Sequence, residues 1–274
     1  MKDARGRRVL ITGAASGIGL STAEEFARCG SELILTDLNA EGLLEAKRRL
    51  GGRGIPVHVR QVDVADRLEV EATAAWVVGE LGGLDILINN AGVGYQGELE
   101  ETSLETWKKL LEVNLLGPLY HIYAFLPHFK EKRSGHIVNV SSGQAFFRLP
   151  TWGAYASVKT ALGAFSEILH FELRRYDIRV TTVYPFLVNT RFYRDIHGRT
   201  WGSRMAMRLI PYYSMSPQKA ARIICRAVRK DAKVEKVSFL NDLGFYAQVV
   251  PLAGDILART SELLLAGTGK KKAA

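Results

Sequence analysis

Residues 9–19, VLITGAASGIG, join a short apolar run to a glycine-rich turn that opens directly into a helical pattern. Glycines at such a turn let the backbone bend tightly and approach a pyrophosphate, whose charge the helix N-terminus stabilises. The spacing is GxxxGxG, whereas the commoner dinucleotide motif is GxGxxG. A purely structural turn is the alternative, but the position between the first strand and the first helix favours a dinucleotide site. Its predicted residues are Gly13, Ser16, Gly17, Ile18 and Gly19.

Short β-rich runs alternate with helix-length segments along most of the chain. The predicted strands are Val9–Ile11, Leu33–Thr36, Val57–Gln61, Ile86–Ile88, Ile137–Val140, Val180–Tyr184 and Val237–Phe239. The predicted helices are Gly19–Cys29, Ala40–Leu50, Val70–Leu81, Leu104–Phe129, Tyr155–Arg175 and Pro217–Arg229. This alternation predicts the α/β class, with one Rossmann-type, doubly wound parallel sheet of about seven strands and helices on both faces. No repeat or linker divides residues 1–274, so we expect a single dinucleotide-binding catalytic domain.

Composition sets the broad class of the protein. The chain has 274 residues, of which 47% are hydrophobic, and this suffices for one sizeable core. Its two cysteines, Cys29 and Cys225, lie far apart in sequence, so we expect no structural disulfide and a reducing, cytoplasmic setting. The N-terminus has no apolar stretch long enough for a signal peptide, so we expect no export.

Polar and small residues follow the second, third and fourth predicted strands, where ligands of parallel sheets bind. Asp37, which precedes Leu38, can accept both hydroxyls of an adenosine ribose and would repel a 2′-phosphate, so NAD(H) is favoured over NADP(H). Asp63, which precedes Val64, could hydrogen-bond the adenine amino group. Asn90, Ala91 and Gly92 would allow a close approach of the backbone. Each of these residues alone could simply stabilise a turn, but their common position, directly after successive strands, favours a cofactor site.

A second group of residues points to proton transfer. Tyr155 and Lys159 are one helical turn apart on the same face, and a lysine ammonium there should lower the tyrosine pKa from about 10. Ser142 follows the fifth strand and could donate a hydrogen bond to a substrate oxygen. Asn114 lies in an otherwise apolar helix, where its amide is either satisfied in the core or holds water for a proton path to Lys159.

Together, TGAASGIG, NNAG, Asn114, Ser142 and YxxxK resemble the short-chain dehydrogenase/reductase family over residues 7–190. The resemblance implies a catalytic tetrad in which Tyr155 is general acid/base, Ser142 binds the substrate oxygen, Lys159 anchors the nicotinamide ribose and Asn114 supports a proton relay. It also implies a homodimer or homotetramer built on the two longest helices.

The segment after the sixth strand departs from the pattern of this family. Pro185, Val188 and Thr190 match the residues that cradle the nicotinamide amide, and the resemblance assigns them that role. Phe186 replaces the usual glycine and puts the shape of the substrate pocket in doubt.

Residues 191–216 are predicted to form a substrate lid. Its apolar side chains include Phe192, Tyr193, Trp201, Met205, Tyr212 and Tyr213. An apolar lid favours a hydrophobic small-molecule substrate, although these side chains could equally pack the lid onto the core. The leading hypothesis is therefore an NAD(H)-dependent oxidoreductase that acts on a hydrophobic secondary alcohol or ketone. The alternatives are a 3-oxoacyl-thioester reductase and a non-catalytic dinucleotide sensor.

The net charge of +9 comes from the last quarter of the chain, because residues 196–274 hold 14 basic and 5 acidic side chains. This asymmetry is typical of a surface for an anionic partner, or of a solvated helix face followed by a lysine-rich tail. The C-terminal extension, residues 241–274, could lie on a membrane surface as an amphipathic helix or cover the lid or a subunit interface. No motif for reading nucleic acid accompanies the charge, and no metal site is predicted.

Overall fold

Strands and helices alternate through residues 4–146, 149–190 and 214–236, which are the residues that the computed structural model describes. The strands are β1 (Arg8–Thr12), β2 (Glu32–Asp37), β3 (Val57–Gln61), β4 (Ile86–Asn89), β5 (Gly135–Val140), β6 (Ile178–Tyr184) and β7 (Val234–Lys236). The helices are α1 (Gly17–Arg28), α2 (Ala40–Gly51), α3 (Arg67–Gly79), α4 (Leu104–Leu111), α5 (Gly117–Lys132), α6 (Gly153–Leu173) and α7 (Pro217–Lys230).

All seven strands belong to one parallel sheet with the order β3-β2-β1-β4-β5-β6-β7. The order reverses direction between β1 and β4, and a crevice for a ligand forms at such a switch point. The predicted Rossmann-type sheet is therefore confirmed. The predicted seventh strand, Val237–Phe239, lies outside the described residues. The seventh strand of the sheet, β7, ends at Lys236, just before it.

The central strands are buried because helices cover both faces of the sheet, as the continuous apolar runs predicted, while the edge strands β3 and β7 are only partly buried. In β1, Val9 and Ile11 contribute to a cluster packed under α1, α2 and α7. Leu10, which points to the opposite face, joins a second cluster with side chains of α3, α5 and α6. Two cores on one sheet hold the carboxyl ends of the strands in a fixed arrangement.

The predicted continuous helix Leu104–Phe129 is wrong in one respect, since a π-helical turn at Glu112–Leu116 separates α4 from α5. Pro118 has no backbone N–H and therefore cannot form the regular helical bond to the carbonyl of Asn114. The break places Asn114 at the centre of the π turn, and turns of this kind often occur at functional sites.

Several predicted features lie outside the described residues. These are residues 191–213 of the predicted lid and the whole C-terminal extension, 241–274. None of the helices that the structure describes combines the length and apolar character needed to cross a membrane.

Candidate active site

A cavity of about 520 Å³ opens at the carboxyl edge of the sheet, above the crevice between β1 and β4. The predicted site residues that line it are Gly13, Ser16, Gly17, Ile18, Asp37, Leu38, Asp63, Val64, Asn90, Ala91, Gly92, Ser142, Tyr155, Lys159, Pro185, Val188 and Thr190. Gly19 and Asn114 are the two predicted residues that are not part of the lining. The structure thus brings segments after six strands to one cavity.

In the turn between β1 and α1, the positions of Gly13 and Gly19 leave no room for a Cβ. Gly13 has a positive φ of 65°, and a Cβ there would lie 2.8 Å from the Ala91 Cα. A Cβ on Gly19 would lie only 2.1 Å from the carbonyl oxygen of Gly13. Gly19 therefore allows the first turn of α1 to close against the loop, while Gly13 and Gly17 line the cavity itself.

The segment after β4 is held against this turn by side-chain hydrogen bonds. The Nδ2 of Asn90 donates to the carbonyl oxygen of Thr12 at 2.9 Å, and the Oγ1 of Thr12 accepts from the Ala91 amide at 2.9 Å. These contacts join the ends of β1 and β4 at the switch point. The wall of the cavity is therefore fixed by the polar residues that the sequence singled out.

The carboxylate of Asp37 is fixed by the backbone at the end of β2. Its Oδ2 accepts from the Ala15 amide in the glycine turn and its Oδ1 from the Asn39 amide, both at 2.9 Å. The Oδ1 of Asp63 similarly accepts from the amide of Ala65 at 2.9 Å. Each oxygen can accept a further bond, so both carboxylates remain able to bind a ligand.

Tyr155 lies on α6, which packs on the β5 and β6 side of the switch point, whereas these carboxylates follow β2 and β3 on the other side. The tyrosine is only 5% exposed. Burial raises the pKa of Tyr155 to about 12, while the hydrogen bond with Ser142 acts in the opposite direction. Trp152 packs edge-on against the tyrosine ring, with 5.8 Å between the ring centres. The phenol therefore keeps its proton firmly at neutral pH.

Lys159 is buried beside Tyr155, and its Nζ donates to the carbonyl oxygen of Val140 at 3.0 Å. Burial lowers the pKa of Lys159 to about 8. The sequence predicted that this lysine, together with the positive nicotinamide of NAD⁺, lowers the tyrosine pKa, and this stays a prediction; in the protein alone, burial of the phenol outweighs the hydrogen bond with Ser142 and raises the pKa. The lysine nevertheless lies at the cavity wall, where it can bind a hydroxyl group.

Asn114 is fully buried behind the cavity. Its Nδ2 donates to the carbonyl oxygen of Val93 at 3.0 Å, and its Oδ1 accepts from the Val93 amide at 3.2 Å. Of the two alternatives from the sequence, the geometry corresponds to an amide satisfied in the core. The side chain thereby fixes the loop that follows Gly92.

Seven lining residues were not predicted, namely Val62, Val93, Lys109, Val113, Val140, Ser141 and Leu187. Val62, Val93, Val113, Ser141 and Leu187 directly adjoin a predicted residue, and Val140 lies two positions before Ser142, so slightly longer motifs would have found these six. Lys109 is different, because it lies in α4 away from every predicted motif. No sequence signal distinguished it from an ordinary residue of a helix surface.

Comparisons with known proteins agree with this geometry. A family model described as short chain dehydrogenase matches residues 7–200. Estradiol 17-beta-dehydrogenase 11 from Homo sapiens is 39% identical over 197 residues, which cover 71% of this chain and 66% of that protein. The chain thus spans slightly less than two thirds of the length of this relative.

Two solved structures with bound nucleotides share the fold. The 3-ketoacyl-(acyl-carrier-protein) reductase from Brucella melitensis, complexed with NADH, has a TM-score of 0.77 and 25% identity, covering 86% of this chain and 98% of that one. The alcohol dehydrogenase from the archaeon Thermococcus sibiricus, complexed with 5-hydroxy-NADP, has a TM-score of 0.73 and 29% identity, covering 84% and 94%. The family model spans well over half of this chain, in agreement with the resemblance that the motifs indicated. The chain belongs to the short-chain dehydrogenase/reductase family of oxidoreductases.

Proposed function

We propose that this protein is an NAD(H)-dependent oxidoreductase that interconverts a hydrophobic secondary alcohol and its ketone. The observation that carries the proposal is the meeting of Ser142, Tyr155 and Lys159 at one end of a cavity whose other end is shaped for a dinucleotide. Such a cavity places a proton-transferring group beside the position of a nicotinamide ring.

The residues of the cavity suit a dinucleotide on steric and electrostatic grounds. The backbone at Gly13 and Gly17 is bare and adopts positive φ, so a diphosphate can approach the amides at the start of α1. Asp37 presents a carboxylate fixed by two backbone amides, which suits a ribose with two free hydroxyls. A 2′-phosphate would face this negative charge, and NAD(H) is therefore the preferred cofactor in our proposal.

Tyr155 acts as the general acid in ketone reduction and as the base in alcohol oxidation. When bound, the cofactor supplies the hydride donor or acceptor at this end of the cavity. Burial raises the pKa of the Tyr155 phenol to about 12, so the phenol carries the proton that the substrate oxygen receives. The positive charges of Lys159 and of a bound NAD⁺ would lower this pKa and allow the phenolate to act as the base. Ser142 donates to the same oxygen, and Lys159 binds the nicotinamide ribose and restores the proton of the tyrosine.

An apolar substrate suits the surroundings of the catalytic tyrosine. Tyr155 belongs to a cluster of buried side chains with Leu110, Trp152 and Val158, against which Val93 and Tyr95 pack. A small polar substrate would lose its hydration here without compensation. The name of the human relative, estradiol 17-beta-dehydrogenase 11, points to the same chemical class.

The test is Tyr155→Phe, which removes the transferable proton and keeps the ring. We expect the rate on apolar ketones to fall at least about 100-fold, while NADH binding measured by nicotinamide fluorescence is retained. Tyr176→Phe is the matched control, because Tyr176 lies in the turn after α6 and away from the cavity lining, and it should leave the rate unchanged. Unchanged turnover in Tyr155→Phe would exclude this enzyme mechanism and favour a non-catalytic sensor.

A second candidate function is the reduction of 3-oxoacyl thioesters. It is favoured by the likeness to the Brucella reductase and by a basic stripe on α7, where Lys219, Arg222, Arg226 and Arg229 are exposed and could face an acidic carrier protein. Rates on free apolar ketones and on carrier-bound 3-oxoacyl groups distinguish the two candidates. Faster reduction of the carrier-bound substrate, lost on changing Arg222 and Arg226 to glutamine, would favour the thioester.

We also propose that the protein is a homodimer or homotetramer in which α5 and α6 form the interface. Both helices pack on the same core cluster and hence lie on the same side of the sheet. They carry large apolar side chains that are mostly exposed, namely Tyr123, Ile168 and Phe171. Burial of these side chains against a second copy would remove apolar surface from water.

A further inference from the structure

The two cysteines of the chain, which are about 200 residues apart in sequence, are neighbours in the fold. Cys29 caps the C-terminal end of α1, and Cys225 lies on the inner face of α7. The two helices pack closely against each other. Both thiols are free, and the side chain of Cys29 is a hydrogen-bond partner of the Cys225 sulfur.

The two thiols differ in their access to solvent. Cys225 is 3% exposed and belongs to the core cluster between the sheet, α1 and α7, whereas Cys29 packs at the margin of this cluster and is partly exposed. A reagent in solution can therefore reach Cys29 first. Burial raises the pKa of the Cys225 thiol, so this sulfur is the less reactive of the two and its proton must leave as it attacks its neighbour.

We propose that Cys29 and Cys225 form a peroxide-oxidisable pair whose disulfide fixes α7 against α1. The Cys29 sulfur attacks one oxygen of hydrogen peroxide, so that an S–O bond forms, the O–O bond breaks and the thiol proton leaves with hydroxide as water. The Cys225 sulfur then attacks the Cys29 sulfur, so that the S–S bond forms, the S–O bond breaks and the Cys225 thiol proton leaves with the hydroxide as a second water. Both sulfurs are oxidised, and the peroxide is reduced to water.

The cross-link would join two elements that border the cofactor cavity. The first turn of α1 contains Gly17 and Ile18, which line the cavity. Just before α7, the backbone of Met215 bonds to Leu187 and to Asn189, on either side of the cavity residue Val188. The disulfide therefore connects two parts of the cavity wall through the helices that carry them.

The experiment uses the full-length purified protein, reduced and then treated with hydrogen peroxide, with catalase added to stop the reaction. We expect the monomer to lose the mass of two hydrogen atoms and to resist alkylation, and a non-reducing digest to contain a peptide joining Cys29 to Cys225. Because the chain has only two cysteines, this mass loss identifies the pair uniquely. The Tm should rise by about 5–15 °C and return to its starting value with dithiothreitol.

Cys29→Ser is the matched control, because this partly exposed site tolerates a hydroxyl. It should show neither the mass loss nor the rise in Tm. Two alkylatable thiols after peroxide treatment would refute the proposal, as would covalent dimers or a Cys29 oxidised further with Cys225 left free. A cross-linked monomer whose Tm is unchanged would refute the fixing of α7 against α1.

Discussion

Asp37 offers the sharpest test of cofactor preference at the scale of single residues. Its carboxylate also holds two backbone amides, so Asp37→Ala should weaken every dinucleotide to some extent. Loss of the hydrogen bonds from the ribose hydroxyls to this carboxylate should lower the affinity for NADH by a further ~10-fold or more. The affinity for NADPH should not fall in this way, because the repulsion between the carboxylate and the 2′-phosphate also disappears. The ratio of the two dissociation constants, measured by nicotinamide fluorescence, is the decisive quantity.

Lys109→Ala provides a comparison for Asp37→Ala, because Lys109 lines the same cavity but carries the opposite charge. This variant should leave the ratio of NADH to NADPH affinity in favour of NADH. A wild-type protein that binds NADPH more tightly would overturn the proposed role of Asp37.

Two buried histidines predict a loss of stability in mild acid. Burial lowers the pKa of His121 to about 4 and that of His136 to about 3, from an ordinary value of 6.5. As pH falls below 6.5 the unfolded chain binds protons at these positions while the folded chain does not, so their contribution to stability is full above pH 6.5 and is lost below it. A tenfold difference in proton affinity between the folded and the unfolded chain corresponds to about 1.4 kcal/mol, so the combined loss reaches several kcal/mol.

Urea unfolding between pH 6.5 and 5 measures this loss before most carboxylates titrate. His121→Asn is the informative variant, because an amide nitrogen can replace the Nδ1 that lies 2.9 Å from the carbonyl oxygen of Gly117 and cannot titrate. The variant should lose less stability than wild type over this interval. Equal slopes would show that His121 does not contribute.

The junction between β1 and α1 is the element whose geometry permits least change. Gly19→Ala would place a Cβ against the backbone oxygen of Gly13, so either the turn or the helix must move. We expect NADH affinity to fall about tenfold or more, together with a lower Tm. Gly79→Ala, at the end of α3 where a Cβ meets nothing within 4 Å, should leave NADH affinity unchanged and should not lower the Tm. Unaltered NADH binding in Gly19→Ala would contradict the assigned role of the turn.

The sequence predicted most elements well because the strands of a doubly covered sheet are continuous apolar runs. It also placed most of the cavity lining, since residues after parallel strands share one edge. The break at Asn114 could not be predicted from periodicity, because α4 and α5 are both helical, and Pro118, which cannot form the helical bond to Asn114, was the sequence signal that was missed. The proximity of Cys29 and Cys225 was missed for a different reason, since only the packing of α1 on α7 brings them together.

Assembly is the question at the scale of the whole molecule. If α5 and α6 form the interface, light scattering coupled to size-exclusion chromatography should give at least twice the monomer mass. Replacing Ile168 and Phe171 together by glutamate should yield monomers, because charges cannot be buried there without partners. Leu68→Glu, at a still more exposed leucine on α3, is the control and should remain assembled. A wild-type monomer would refute the proposed assembly.

The π turn between α4 and α5 also sets a constraint on how this chain can change in length. A π turn holds one residue more than the regular helix, so deleting a residue there would restore a continuous helix. If the same residues instead formed a regular α-helix throughout, α5 would be rotated by about 100° relative to α4 from its present orientation. Phe125 and Phe129 would then turn out of the core, and the exposed Tyr123 would change its orientation. The surplus residue therefore sets the rotation of α5 relative to α4. With this rotation, the buried amide of Asn114 and the apolar face of α5 both meet their partners.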